Sequence, residues 1–181
     1  MPSLHRPVPG ESQQYPIPEK CRRTENIVLI GMPGCGKSTI GRQLALATNK
    51  TFVDADTEIV KAAGISIPEI FEKEGEEGFR LLETKVLAQL GQQSGLVIAS
   101  GGGCVTREEN YPLLHQNGTI YWLQRELSAL ATDGRPLSKS GKLEQMWQVR
   151  KPLYARFADY TIDNNQSPED AVKAIIGGYV K

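Results

Sequence analysis

The chain has 181 residues, enough for one α/β domain with a substantial core but too few for two domains of ordinary size. Its 21 Lys and Arg residues balance its 21 Asp and Glu residues, so no overall basic field attracts nucleic acid or an anionic membrane surface. No apolar run approaches membrane-spanning length, and the first residues lack the apolar core of a secretion signal. We therefore predict a soluble cytoplasmic protein that binds neither nucleic acid nor membrane and whose anion binding is local. We also expect a monomer, although nothing in the composition decides it.

Residues 1–25 differ in composition from the rest of the chain. They contain five prolines among scattered polar residues and show no apolar periodicity, so they cannot bury a core face. We predict a flexible extension here, either a linker from an upstream domain or a tail, and a single domain over residues 26–181.

The first predicted strand leads directly into the most informative motif of the chain. Residues 26–30 form a short apolar, β-branched run typical of a buried strand, and Gly31 to Ser38 read Gly-Met-Pro-Gly-Cys-Gly-Lys-Ser. This is the phosphate-binding loop pattern, in which backbone N–H groups and the positive end of the next helix surround phosphate oxygens. Apolar residues at helical spacing follow it, as the mechanism requires.

The motif predicts that the chain binds a nucleoside triphosphate with Mg2+. Lys37 is expected to reach the outer phosphates, and the hydroxyl of Ser38 to coordinate the metal. The residues predicted to contact the nucleotide within this motif are Gly34, Cys35, Gly36, Lys37, Ser38 and Thr39.

Two carboxylates follow the second predicted strand, residues 51–54. Strand ends are where α/β proteins place chemistry. Asp54 is positioned to help hold the metal, directly or through water, because a carboxylate beside the phosphate loop has suitable charge. Asp56 is a candidate to orient a substrate hydroxyl, or to accept its proton, for attack on the γ-phosphorus.

Further along the chain, helical patterns alternate with strands. A helix is predicted over residues 65–74 and a longer one after it, with Arg80 on its polar side. A third strand, residues 96–100, runs into Gly101, Gly102 and Gly103, which indicate close backbone approach to another group.

The last third of the chain completes the predicted sheet. A fourth strand over residues 118–123 precedes a turn at 133–136 and a polar loop at 138–142 that lacks a core pattern, so we predict a short mobile lid. A helix from about Leu143 carries Arg150 and is interrupted or kinked at Pro152, and a fifth strand over 159–163 precedes a helix that begins at Pro168. The alternation predicts an α/β fold, a three-layer P-loop NTPase sandwich with a central five-stranded parallel sheet flanked by helices.

The three cysteines, Cys21, Cys35 and Cys104, are odd in number and follow no metal-ligand spacing. We predict free thiols. Cys35 lies within the phosphate loop, where oxidation would obstruct the nucleotide, but a small residue filling a tight space is the favoured interpretation.

Several motifs occur in an order that identifies a resemblance. They are Phe52-Val53-Asp54-Ala55-Asp56, Gly75-Glu76-Glu77-Gly78-Phe79-Arg80 with Glu83, Ser100-Gly101-Gly102-Gly103, Arg135-Pro136-Leu137 and Arg150-Lys151-Pro152-Leu153-Tyr154. Over residues 26–179 the chain resembles the shikimate kinases. The resemblance implies ATP-dependent phosphorylation of the 3-hydroxyl of shikimate, on the route to chorismate and aromatic amino acids.

The resemblance also implies roles for particular residues. Arg80 and Arg150 would bind the shikimate carboxylate, Asp56 would act as the base, and the glycine motif, Gly101 to Gly103, would offer backbone contacts. Arg135 would lie on the lid and stabilise the transferring phosphates. Gln166 would contact the nucleotide near adenine.

The predicted lid departs from the family pattern. The region between Leu123 and Arg150 is shorter than expected, no arginine stands in the usual place before Arg135, and Ser138 replaces a leucine. Arg125 is a candidate to compensate. A shorter lid should exclude water less well, which bears on the turnover rate more than on the substrate.

Three alternatives remain open at this point. A gluconate kinase would use the same phosphate loop with another acceptor pocket, and a nucleoside or nucleotide kinase would need a basic lid. A catalytically weak nucleotide-binding module that regulates an upstream domain is the alternative from another class, and the altered lid motivates it.

Overall fold

The computed structural model describes residues 24–130 and 140–180, and these form an α/β sandwich around one sheet. The strands are β1 (Asn26–Ile30), β2 (Thr51–Asp54), β3 (Leu96–Ala99), β4 (Gly118–Gln124) and β5 (Tyr160–Asp163). Their order across the sheet is β2-β3-β1-β4-β5, and every neighbouring pair is parallel. The predicted five-stranded parallel sheet is confirmed.

Helices connect the strands in the described residues. They are α1 (Lys37–Thr48), α2 (Ala55–Ala63), α3 (Ile67–Gly91), α4 (Asn110–His115), α5 (Ser140–Phe157) and α6 (Pro168–Val180). Within α3, Gly75 adopts φ 69° and ψ −176°, which separates a first helical segment from a longer second one, as the sequence predicts.

The core lies on both faces of the sheet. Each residue of β1 is buried, whereas the edge strands β2 and β5 are partly exposed. A central strand covered on both faces needs an uninterrupted apolar run, and this explains why β1 was predictable from composition alone.

The strand order creates the crevice in which function is expected. After β1 the chain builds β2 and β3 on one side of that strand, and it then crosses to build β4 and β5 on the other. At such a reversal, loops at the carboxyl ends of the strands diverge and leave room for a ligand. The loop after β1 is the phosphate-loop motif, so it opens into this crevice.

The structure corrects three local predictions. Asp56, predicted only to follow the second strand, lies on the first turn of α2, a helix that the sequence interpretation missed. The predicted polar loop at 138–142 already belongs to α5 from Ser140 onward. Finally, Pro152 does not interrupt α5, because the carbonyl that loses its helical partner there belongs to the exposed Gln148 and can bond to water; a kink at Pro152 stays a prediction.

Some predictions fall outside the described residues. These are Cys21, nearly all of the extension at residues 1–25, and the lid turn at 133–136 with Arg135. Cys35 and Cys104 are buried free thiols, as predicted. In the described part of the chain, no helix combines the length and the apolar character needed to cross a membrane.

Candidate active site

The phosphate loop connects β1 to α1 and leaves the amino end of that helix open. Gly36, the N-cap of α1, has φ 97° in the left-handed region, and no side chain caps the helix. Its first N–H groups therefore have no side-chain acceptor, and the positive end of the helix faces the loop. This arrangement is a ready anion site.

Lys37 is held at the loop by backbone carbonyls. Its Nζ donates to the carbonyl oxygens of Gly31, at 2.8 Å, and Met32, at 2.9 Å. The ammonium group is thus buried beside the anion site, and the partners it has among the described residues are neutral. An incoming phosphate would offer it a charged partner.

Ser38 and Asp54 form a pair of oxygen donors beside the loop. Ser38 Oγ donates to Asp54 Oδ2 at 2.8 Å, while Asp54 Oδ1 accepts from the backbone N–H groups of Asp56, at 2.9 Å, and Thr57, at 3.3 Å. The second set of bonds caps α2 and fixes the carboxylate, which turns Oδ2 toward Ser38. The sequence predicted both residues as metal ligands but gave no sign of this shared bond.

This donor set fits Mg2+. Among the residues that the structure describes, no cluster of three or more His, Cys, Asp or Glu side chains could enclose a metal. Mg2+ needs no such cage, because it keeps several waters and binds through one or two protein oxygens together with substrate phosphates. One hydroxyl and one carboxylate beside a phosphate loop meet that requirement.

The glycine motif, Gly101 to Gly103, is the meeting point of the site. A Cβ on Gly101 would lie 2.9 Å from Glu83 Oε2 and 3.1 Å from Asp56 Oδ1, and one on Gly102 would lie 2.8 Å from Pro33 Cδ. One on Gly103 would lie 2.3 Å from a guanidinium nitrogen of Arg80. The absence of a side chain therefore lets Gly101 contact the two acids, Gly102 the phosphate loop and Gly103 the arginine.

Arg80 is oriented by an acid and an aromatic ring. Its guanidinium donates to Glu83 Oε1 at 2.9 Å, and its Cζ lies 5.2 Å from the ring centroid of Phe79. The Arg80 side chain is 11% exposed, so it combines a buried anchor with access to the crevice. An arginine held in this way presents its remaining donors in a fixed fork.

Glu83 occurs in a motif that carries the family resemblance, but the sequence assigned it no role of its own. It is fully buried, and its Oε2 has no hydrogen-bond partner in the described residues. Burial raises the pKa of the Glu83 carboxyl and the negative charge of Asp56 adds to this, while Arg80 and Arg150 oppose it. The three-residue spacing from Arg80 on a helix was the available signal.

Tyr154 links two sides of the site. Its hydroxyl donates to the carbonyl oxygen of Gly102 at 2.6 Å and lies 3.7 Å from Met32 Sδ in the phosphate loop. Burial raises the pKa of the Tyr154 phenol, so it remains a neutral donor. It stands one helical turn after Arg150, whose charge reaches both Tyr154 and Glu83.

The predicted site residues divide into three groups. Those that the structure brings together around the phosphate loop and the glycine motif are Gly34, Cys35, Gly36, Lys37, Ser38, Asp54, Asp56, Arg80, Gly101, Gly102, Gly103 and Arg150. Thr39 and Gln166 are exposed, the latter in the segment between β5 and α6. Arg135 lies outside the described residues. Arg125, the candidate to compensate for the shorter lid, is half-buried, and its Nε has no hydrogen-bond partner among the described residues.

Comparisons with known proteins agree with this geometry. Residues 33–178 match the sequence model of the family described as "Shikimate kinase". A shikimate kinase of Thioalkalivibrio sulfidiphilus is 42% identical over 163 residues, which cover 85% of this chain and 84% of the relative.

Solved structures give the same result. The fold matches a shikimate kinase from Acinetobacter baumannii, solved in complex with shikimate, with a TM-score of 0.81 and 37% identity over 90% of this chain and 99% of the other. A gluconokinase from Sinorhizobium meliloti matches with a TM-score of 0.54 and 16% identity, a likeness of fold alone. With its phosphate loop, its Arg80–Glu83 pair and these matches over most of its length, the chain belongs to the shikimate kinase family.

Proposed function

We propose that the chain transfers the γ-phosphoryl group of ATP to the 3-hydroxyl of shikimate, giving shikimate 3-phosphate and ADP. The observation that carries this proposal is the glycine motif. Its three consecutive residues touch an arginine, two acids and the phosphate loop, so an acceptor bound there lies beside the phosphates. Phosphoryl transfer first requires that the acceptor hydroxyl and the γ-phosphate lie close together.

The acceptor end of the site suits a hydroxylated carboxylic acid. Arg80 and Arg150 supply guanidinium donors for a carboxylate, and the Arg80 fork is already oriented by Glu83. Asp56, whose Oδ1 lies 3.1 Å from the position that a Cβ on Gly101 would occupy, supplies an acceptor for ring hydroxyls. A substrate with charge at one end and hydroxyls at the other is therefore held in one orientation.

Asp56 is the proposed base. It lies on the first turn of α2, within the group of residues that surrounds Gly101, and its backbone N–H is tied to Asp54. The carboxylate accepts the proton of the attacking hydroxyl as the oxygen bonds to the γ-phosphorus and the bond to ADP breaks. The backbone bond fixes the start of α2, from which the Asp56 side chain extends.

The phosphate end is assigned to the loop residues with Lys37 and Ser38. The open N–H groups of α1 bind phosphate oxygens, and Lys37 exchanges its carbonyl partners for the outer phosphates. Ser38 and Asp54 would hold Mg2+, which neutralises part of the phosphate charge when bound. Arg135 and Gln166 are proposed contacts to the transferring phosphate and to adenine, on the family resemblance alone.

A coupled ADP-release assay with ATP, Mg2+ and shikimate tests the proposal. Matched reactions omit the acceptor or replace shikimate with gluconate. We expect ADP release that depends on shikimate and stays at background with gluconate. ATP binding without shikimate-dependent release would instead support a regulatory nucleotide-binding module.

A further inference from the structure

Asn164 is a buried polar residue that none of the roles above uses. It follows β5, is 2% exposed, and its Nδ2 donates to the carbonyl oxygen of Cys35 at 2.5 Å. The two residues are 129 positions apart in sequence. A buried amide with its donor aimed at a loop carbonyl restrains that loop.

The position of this carbonyl matters because of peptide geometry. In a planar trans peptide the carbonyl of Cys35 and the N–H of Gly36 point in opposite directions. With the carbonyl bonded to Asn164, the N–H of Gly36 is turned away from Asn164. In the described residues this N–H donates to no protein acceptor, as expected for a group reserved for a phosphate oxygen.

Asn164 is itself firmly anchored. Its backbone N–H donates to the carbonyl of Gln124 at the end of β4, at 2.9 Å. The next residue, Asn165, accepts from the backbone N–H of Glu126 through Oδ1 at 2.8 Å. The segment after β5 is thus fastened to β4, and through Asn164 it fastens the phosphate loop.

We propose that Asn164 is a positioning residue for nucleotide binding, which holds the Cys35–Gly36 peptide with its N–H directed at the phosphates. The proposal deepens the proposed function at its ATP end. It requires only that the phosphate loop binds ATP, so it can be tested by binding even if shikimate proves not to be the acceptor. It predicts a defect in phosphate recognition, separate from any contact to adenine.

The decisive variant is Asn164→Asp, which keeps the shape but places a carboxylate oxygen against the Cys35 carbonyl. We expect the Kd for ATP, measured by calorimetry, to rise at least about tenfold, since a donor is lost and repulsion is added. The KM for shikimate should change less than about twofold, because Arg80 and Asp56 are untouched. The affinity for inorganic tripolyphosphate, measured by competition with ATP, should fall by a similar factor. Tripolyphosphate has no adenine, so its binding reports on phosphate recognition alone.

Asn26 offers a matched control at the opposite end of β1. It is 1% exposed, and its Nδ2 also donates to a backbone carbonyl, that of Gln93, at 2.8 Å. Asn26→Ala should lower the melting temperature and leave the Kd for ATP unchanged. Should Asn164→Asp fail to fold, Asn164→Ala gives the same comparison without a buried charge.

Three results would overturn the proposal. One is a folded Asn164 variant that binds ATP with wild-type affinity. Another is an equal loss of ATP and shikimate affinity, which would indicate general damage. The third is a loss of ATP affinity with unchanged tripolyphosphate affinity, which would move the role of Asn164 to adenine.

Discussion

Asp56 stands at the start of α2 beside Gly101, and its proposed role separates catalysis from folding. Asp56→Asn keeps the size of the side chain but removes a proton acceptor. We expect kcat to fall at least about 100-fold, the usual contribution of a general base, while the melting temperature changes little. Steady-state kinetics and thermal unfolding of the same preparation measure both.

A control for this variant lies on the same helix. Glu58 is paired with Lys61 at 2.9 Å rather than with the site, so Glu58→Gln should keep its kcat. If Asp56→Asn retained wild-type kcat, the base would have to be sought elsewhere, and Glu83 would be the next candidate.

Gly103 is the position at which the smallest addition should have the most selective effect. A methyl group there would meet the guanidinium of Arg80, whereas the backbone, with φ −96° and ψ 3°, accepts alanine. Because a flexible side chain can move, we expect Gly103→Ala to fold. Displacing Arg80 from Glu83 should raise the KM for shikimate about tenfold or more and leave the KM for ATP near wild type.

Gly177→Ala is the matched substitution. Apart from its chain neighbours and its own helix backbone, no atom of the described residues lies within 4 Å of the position that its Cβ would occupy, so neither KM should change. Equal increases in both KM values for Gly103→Ala would contradict a selective displacement of Arg80.

At the scale of elements, what the sequence predicted depended on burial. Strand β1 is covered on both faces, so its apolar run identified it. Helix α2 buries only Ala55 and Ile59, too short a pattern to be recognised, so the helix that carries Asp56 was not predicted.

Contacts between distant elements could not be predicted in the same way. The family motifs indicated Arg80 and Asp56, but the burial of Glu83 depends on how α3 packs beside the glycine motif. Likewise, the bond from Asn164 to Cys35 joins segments whose separation gives no local pattern. The sequence therefore identified the proposed substrate-binding side chains more readily than the buried residues that position them.

The break within α3 is an element-scale feature with its own prediction. Gly75 combines φ 69° with ψ −176°, a region open essentially to glycine. Beyond its chain neighbours and its own helix backbone, no described atom lies within 4 Å of the position that its Cβ would occupy. Gly75→Ala should therefore lower the free energy of unfolding through backbone strain alone, by about 1–3 kcal/mol. Urea denaturation measures it.

Gly64 provides the comparison for this strain. It caps α2 with φ 72° and ψ 8°, in the ordinary left-handed region, and its Cβ position likewise meets no atom of the described residues other than its chain neighbours. Alanine there should cost about 1–2 kcal/mol, less than at Gly75. If Gly64→Ala lowered the free energy of unfolding more than Gly75→Ala does, backbone strain would not explain the glycine at position 75.

At the scale of the whole molecule, burying the Glu83 carboxylate in the candidate site lowers the stability of the folded protein. Burial raises the pKa of this carboxyl above its ordinary value of 4.5, even though Arg80 lies 2.9 Å away. When the pKa of a carboxyl is higher in the folded state than in the unfolded state, the carboxyl favours folding most at pH values below its unfolded-state pKa. This favourable contribution to the free energy of unfolding is lost as the pH rises through the folded-state pKa. We therefore expect Glu83→Gln to gain stability relative to wild type as pH rises from about 4 toward neutrality.

Glu69 should show the opposite trend and serves as the control. Hydrogen bonds from the backbone and side chain of Ser66 lower the pKa of the Glu69 carboxyl, so its contribution is present above pH 4.5 and is lost as pH falls. Urea denaturation of wild type, Glu83→Gln and Glu69→Gln between pH 4 and 8 compares the two. If Glu83→Gln instead became less stable relative to wild type with rising pH, attraction to Arg80 would outweigh the cost of burying the Glu83 charge. The Arg80–Glu83 pair would then stabilise the folded state.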